Sequence, residues 1–126
     1  TSSATGLAFA AFYRSRYVKK MLDAEVLASA AASNATVETI LSALNVQLEE
    51  IRRHGIARAS GSVTPGINGF SAPVFDFSGH MVAAITSLGI IGNFDMAWDS
   101  PMAQSTREAA ATLSRRLGHG SFVVDG

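Results

Sequence analysis

Three histidines, His54, His80 and His119, are the side chains best suited to move a proton or hold a metal near neutral pH. A helical metal pair needs an i,i+4 spacing, and other sites need a nearby cluster of His, Asp or Glu; these three have neither. His54 falls in the last turn of a helical stretch, where a cationic ring suits the helix C-terminus, His80 beside a turn, and His119 in a terminal loop. No metal site and no cofactor are expected. Serines are plentiful, yet none sits in a Gly-x-Ser-x-Gly elbow, and none has an acid and a histidine suggestively beside it. Among the carboxylates, Glu49 and Glu50 lie on a charged helix face and Asp95 and Asp99 in a loop, a poor arrangement for acid–base work. Gly66-Ile67-Asn68-Gly69 lacks the Lys and the third Gly of a phosphate-cradling loop. Hydrolysis is disfavoured, although a small α/β hydrolase using Ser71 or Thr86 as nucleophile stays open as a rival reading.

The bulk properties narrow the field. A length of 126 residues suits one domain. With 48% hydrophobic and 16% charged residues, the chain is more apolar than a well-solvated monomer, which points to a cavity or a subunit interface. Ten basic residues cancel ten acidic ones and are scattered, so direct nucleic-acid binding by this chain is not expected. The absence of Cys excludes disulfide and thiolate chemistry and fits a reducing compartment. No apolar run approaches the ~20 residues of a membrane span, and no basic segment leads into an apolar one at the start. The expectation is a cytoplasmic protein with no membrane partner.

The strongest structural grammar lies between Thr64 and Gly89. Two runs rich in Val, Ile and Phe flank Ser78-Gly79, the pattern of a β-hairpin. Ile67, Gly69, Ser71, Pro73, Phe75 and Phe77 share one face of the first arm, opposite Asn68, Phe70, Ala72, Val74 and Asp76. In the second arm Val82, Ala84, Thr86 and Leu88 alternate with Met81, Ala83, Ile85 and Ser87. Neither face is polar, so the sheet is expected to be covered on both sides, by helices on one and by a ligand, partner or loop on the other. Pro73 cannot donate to a ladder and implies an edge or a bulge at that point.

Residues 1–12 form a helix capped by small polar residues, and where Ser2-Ser3-Ala4-Thr5 opens it the unpaired amides of that segment make an anion or carbonyl site. Residues 15–22 form a short amphipathic helix, and residues 23–35, Ala- and Ser-rich without a strong period, form a loop with room for a turn of helix. A longer helix runs from the N-cap Thr36 to Gly55 with a stripe of Ile40, Leu41, Leu44, Leu48 and Ile51. Residues 56–60 are extended. Residues 89–98 are too apolar for an idle loop, and Ser100-Pro101 opens a last helix with a buried stripe of Ala103, Ala110, Leu113 and Leu117.

Four segments taken together resemble the effector-binding domain of the IclR family of bacterial transcription regulators. They are S-A-T-G-L-A-F-A-A-F, E-E-I-R-R-H-G-I-A, P-G-I-N-G-F-S-A-P-V-F-D-F-S-G-H-M-V-A-A-I and A-A-A-T-L-S-R-R-L-G. The resemblance implies an α/β (α+β) fold, a profilin- or GAF-like antiparallel sheet with helices packed on it. It implies a single effector-binding domain over 1–126 that binds a small organic effector and informs an N-terminal winged helix-turn-helix. That DNA-binding part and the domain's first strands are expected to lie outside this chain, and DNA is a partner only through them.

The resemblance also implies ligand contacts at the backbone amides of Ala4 and Thr5 and, by register along the shared motifs, at Ala59, Gly69, Thr86 and Leu88. Ala59 stands where the family often has an acid and Leu88 where it often has Ser, while Ile90 and Asn93 replace a Pro and an Arg. Fewer polar partners favour a ligand larger and more apolar than a simple keto acid. A homo-oligomer, dimer or tetramer, is expected, and an oligomerisation module without ligand is the second alternative.

Overall fold

The structure, a computed structural model, describes residues 3–13, 16–33, 36–60, 66–90 and 95–120, with the side chains of 16–18 and 33 outside the description. The elements are α1 (Ala4–Phe12), α2 (Arg16–Ser33), α3 (Val37–His54), β1 (Ala57–Ser60), β2 (Ile67–Phe75), β3 (Met81–Ile90) and α4 (Pro101–Arg116). The three strands form one antiparallel sheet in the order β1-β2-β3.

Helix boundaries follow local chemistry. Ser3, Thr36 and Ser100 cap α1, α3 and α4, each side chain accepting from an amide three residues on. Gly55 ends α3 in the left-handed conformation at φ 71°. The loop expected over residues 23–35 is instead helix as far as Ser33. Five alanines between Arg16 and Ser33 supply helix propensity that needs no amphipathic period, so a stripe is not required.

The hairpin forms, with a tighter definition of its turn. The Asp76 amide donates to the His80 carbonyl at 2.9 Å, so the loop has three residues, Phe77, Ser78 and Gly79, with Gly79 at φ 82°. Phe77, expected on a strand face, stands exposed at the tip. Register slips between Val74 and Phe75: Val74 faces Ala83 and Phe75 faces Met81, leaving Val82 unpaired. The bulge turns Met81 to the face of Phe75, which correct alternation did not allow. Pro73 lies past the end of β1, whose last partner on β2 is Ser71, so the missing N–H falls where β2 is locally an edge.

Both faces of β2 are covered, as its period foretold, but both covers are helices. On one side α1 packs with Leu7, Ala8 and Ala11 against Leu48, Ile51, Ala57 and Met81. On the other α4 lays Ala103 and Ala110 on Ile56, Phe70, Ala72 and Val74. The buried stripe of α4 is Ala103, Thr106, Ala110 and Ser114; Leu113 and Leu117 are exposed, a rotation of the expected face. Small residues win because they let the helix approach the sheet closely, and their hydroxyls find partners. Ser87 and Thr106 meet at 2.7 Å, and the Thr106 hydroxyl donates to the Met102 carbonyl.

Ser114 is a particular case. Its hydroxyl accepts from the Phe75 amide at 2.9 Å, next to the bulge, and donates to the Ala110 carbonyl at 2.8 Å. Ser114→Ala strands a backbone donor at the sheet and is expected to cost about 1–3 kcal/mol, read as a lower urea midpoint at constant slope.

Candidate functional site

The residues singled out by sequence come from four elements and meet at one place. Ala59 on β1 pairs with Gly69 on β2, which pairs with Leu88 on β3. The first turn of α1 sits on them: a Cβ built on Gly69 would lie 3.7 Å from the Cβ of Ala4 and 3.0 Å from Cδ2 of Leu88. A methyl at Gly69 would press on the Leu88 side chain and reach ordinary contact with Ala4, so only a larger side chain would push on the helix start. Leu88 itself is 68% exposed, and Ala59 is half-buried.

Hydroxyls tie α1 to the sheet. Thr86 donates to Ser71 at 3.0 Å, and Thr5 meets Thr86 at 2.7 Å. Thr86 has one proton and gives it to Ser71, so Thr5 donates to Thr86. Ser71, the rival nucleophile, is fully buried beneath this chain of hydroxyls. The Ser3 side chain takes the Gly6 amide and its carbonyl takes the Leu7 amide. The amides of Ala4 and Thr5 point out of the helix start, as first-turn donors must. Among the described residues no charged side chain belongs to this cluster. What it offers a guest is a set of hydroxyls, two amides and small apolar walls.

The side-chain carbonyl oxygen of Asn68 is buried and has no hydrogen-bond partner among the described residues. The side chain lies on the α4 face of β2, opposite the cluster.

A second polar group gathers at the hairpin tip, and sequence reasoning missed it although Asp-Phe-Ser-Gly-His was its signal. Asp76 Oδ1 accepts from the Ser78 amide, the Ser78 hydroxyl and the His80 amide at 2.9, 2.6 and 3.1 Å. The Ser78 hydroxyl, a donor toward Asp76, meets His80 Nδ1 at 2.8 Å. These bonds, the Ser78 hydroxyl first, hold the Asp76 carboxyl below the usual carboxylate range. Asp76 bonds serine and backbone rather than the imidazole, so this is a turn lock and not the serine–histidine–acid relay.

His54 also finds a role outside metal binding. Its ring stacks on Trp98 at 4.3 Å with planes 4° apart, while the Arg58 guanidinium sits 3.9 Å from the Trp98 ring centre. Arg58 donates to the Met96 carbonyl and Arg107 to the Trp98 carbonyl. Residues 95–99 are thereby fastened to the end of α3, to β1 and to α4. The apolar segment expected to pack on something does so through Met96 and Trp98, which join the α4-side core. Ile91, Asn93 and Phe94 lie outside the described residues. No group of three or more metal-ligating side chains occurs among the described residues.

A cleft of about 850 Å³ opens at the far end of α1, between its last turn, Arg52 of α3 and the hairpin tip. None of the six sequence-predicted site residues lines it.

A family model for the C-terminal part of the bacterial transcriptional regulator IclR matches residues 1–115. This chain belongs to the IclR family. Among solved structures, Pseudomonas aeruginosa HmgR is 32% identical, with a TM-score of 0.77 over 94% of this chain and 44% of that one. Thermotoga maritima IclR is 25% identical, with a TM-score of 0.71 over 94% of this chain and 47% of that one. The Agobacterium tumefaciens repressor BlcR is 26% identical, with a TM-score of 0.57 over 62% of this chain and 32% of that one. The chain thus spans less than half the length of these relatives. Among curated proteins none matches closely enough to be compared. The three-stranded antiparallel sheet with helices on it is the α+β fold of the IclR C-terminal domain. No helix among the described residues is long and apolar enough to cross a membrane.

Proposed function

We propose that this IclR-type domain is a ligand sensor without catalysis, binding a small organic effector at the first turn of α1 and controlling a DNA-binding domain elsewhere in its polypeptide. The observation that carries this reading is the convergence of Ala4, Thr5, Gly69, Thr86 and Leu88, with Ala59 adjoining, at the joint of α1 and the sheet. An effector oxygen takes the amides of Ala4 and Thr5 and competes for the Thr5–Thr86 hydrogen bond, while its body rests on Gly69 and Leu88. With no charged side chain in the cluster, the effector is more apolar than a simple keto acid. Parting Thr5 from Thr86 shifts α1 against β3. The shift reaches α3 through Arg52, whose Nε donates to the Ala11 carbonyl at 2.8 Å, and reaches residues 95–99 through the His54–Trp98 stack. The protein works in the cytoplasm beside its DNA, and the domain's remaining strands lie elsewhere in the polypeptide.

Thermal denaturation against a panel of small aliphatic and aromatic acids and their neutral amides tests this reading, with Trp98 fluorescence as a second readout. A ligand at a hundred times its Kd is expected to stabilise the domain by about 2.7 kcal/mol. Gly69→Leu, which crowds the helix start, is expected to abolish that response. A panel without a single stabilising compound, or a ligand that Gly69→Leu binds as well as the parent, overturns the reading.

Oligomerisation has its own observation. The β3 edge carries ten uncharged residues, no strand pairs with it among the described residues, and Val82, Leu88 and Ile90 are exposed along it. A second subunit or further strands of the polypeptide extend the sheet there.

A further inference from the structure

The cleft at the C-terminal end of α1 is separate from the effector cluster at its N-terminal end. Its volume, about 850 Å³, lies within the range of small-molecule sites. The walls divide by chemistry. Phe12 and Phe75 meet edge to face at 6.2 Å and, with Met81 and Val82, form an apolar side. Arg52 and Tyr13, with Ser78 and His80 at the hairpin tip, supply its polar groups.

Arg52 is the deciding residue. Its Nε is fixed on the Ala11 carbonyl at 2.8 Å, which orients the guanidinium and leaves both terminal nitrogens for another partner. Among the described residues it forms no ion pair, whereas Arg58 on the next element has Glu50 at 4.0 Å. Asp76, the nearest turn carboxylate in sequence to the cleft-lining Ser78, is spent on the Ser78 and His80 donors. A guanidinium without a carboxylate beside aromatic and aliphatic walls is the donor set for a planar acid. The fork takes two carboxylate oxygens at once, and an aromatic body fits edge to face against the phenyl rings.

We infer that this cleft is a second ligand site, specific for a small aromatic carboxylate held by Arg52 and packed on Phe12, Phe75 and Val82. The inference does not rest on the effector reading, since the two sites share no residue. Both ends of α1 then face ligands, and occupancy of either end bears on the same nine-residue helix.

Benzoate, with benzamide as its neutral counterpart, serves as the probe in amide-resolved NMR titrations of the 126-residue chain. Benzoate is expected to shift the amides of residues 10–13 and 79–82, and benzamide to bind about tenfold more weakly for want of the charge-assisted bonds. Arg52→Gln is expected to bring benzoate down to the benzamide level while leaving benzamide unchanged. Val82→Trp, a change at a half-exposed position, fills the cleft and is expected to remove both ligands from an otherwise unaltered spectrum. The proposal fails if benzoate shifts nothing, if benzamide binds as well, or if Val82→Trp leaves binding intact. Shifts confined to Ala4, Thr5 and Thr86 also overturn it, and speak for the effector cluster instead.

Discussion

Phe70→Ala is expected to lower the unfolding free energy by about 4 kcal/mol, the largest effect of any single truncation in this domain. Phe70 is the largest fully buried side chain, at the middle strand of the sheet. It faces Ala103 and Ala110 across a wall made otherwise of Ile56, Ala72 and Val74. These neighbours are short or fixed to backbone that β1 and β3 hold in register, so the space left by a ring cannot be refilled. Chemical denaturation should show the loss as a lower midpoint, and heating as a fall on the order of 15 °C in Tm. A loss under about 1 kcal/mol would mean that α4 does not sit where it is described.

Trp98→Ala is expected to cost about 3 kcal/mol, less than the core ring because Trp98 is only partly buried. The reason is the number of elements that meet on it. The indole lies between the His54 ring and the Arg58 guanidinium, and its backbone carbonyl takes Arg107. Its loss removes the His54 stack and the Arg58 contact, while the Met96 and Trp98 carbonyls keep their Arg58 and Arg107 donors. Cation–π attraction at such a site is worth about 1 kcal/mol, and apolar contact supplies the rest. Arg58→Met keeps the stem and removes the charge, so a double-mutant cycle with Trp98→Ala isolates the charge contribution. A coupling energy indistinguishable from zero would reduce Arg58 to packing alone. In the ligand-sensing reading the same variant also uncouples residues 95–99 from α1 without touching the effector cluster.

Much of this architecture can be read directly from residue types. Thr36 and Gly55 bracket α3 because a hydroxyl can take an orphan amide and a glycine can take a positive φ, both strictly local facts. Ser100-Pro101 opens α4 on the same grounds. The period of two across residues 67–75 separated Gly69, Ser71 and Phe75 from Phe70, Ala72 and Val74, whereas a helix over each face, in place of a helix on one only, comes from the fold. Where the reading failed, a local rule met a non-local one. The helix over residues 23–33 is hidden because Ala and Ser leave no hydrophobic stripe for a helical period to show. The buried face of α4 was misjudged because Leu113 outranks Ser114 by hydrophobicity, whereas Ser114 has a stranded amide to satisfy at Phe75.

The chain by itself determined its family, its caps, its hairpin and the strand faces, because each depends on neighbours within a few residues or on a recognisable run of them. Tertiary structure alone decided that Thr5 meets Thr86 across 81 positions, that Trp98 is clasped by His54 and Arg58, and that Arg52 faces a cleft without a carboxylate. Those meetings depend on how the helices settle on the sheet. Side-chain volumes summed over the whole core fix that packing, and no local window of residues contains it.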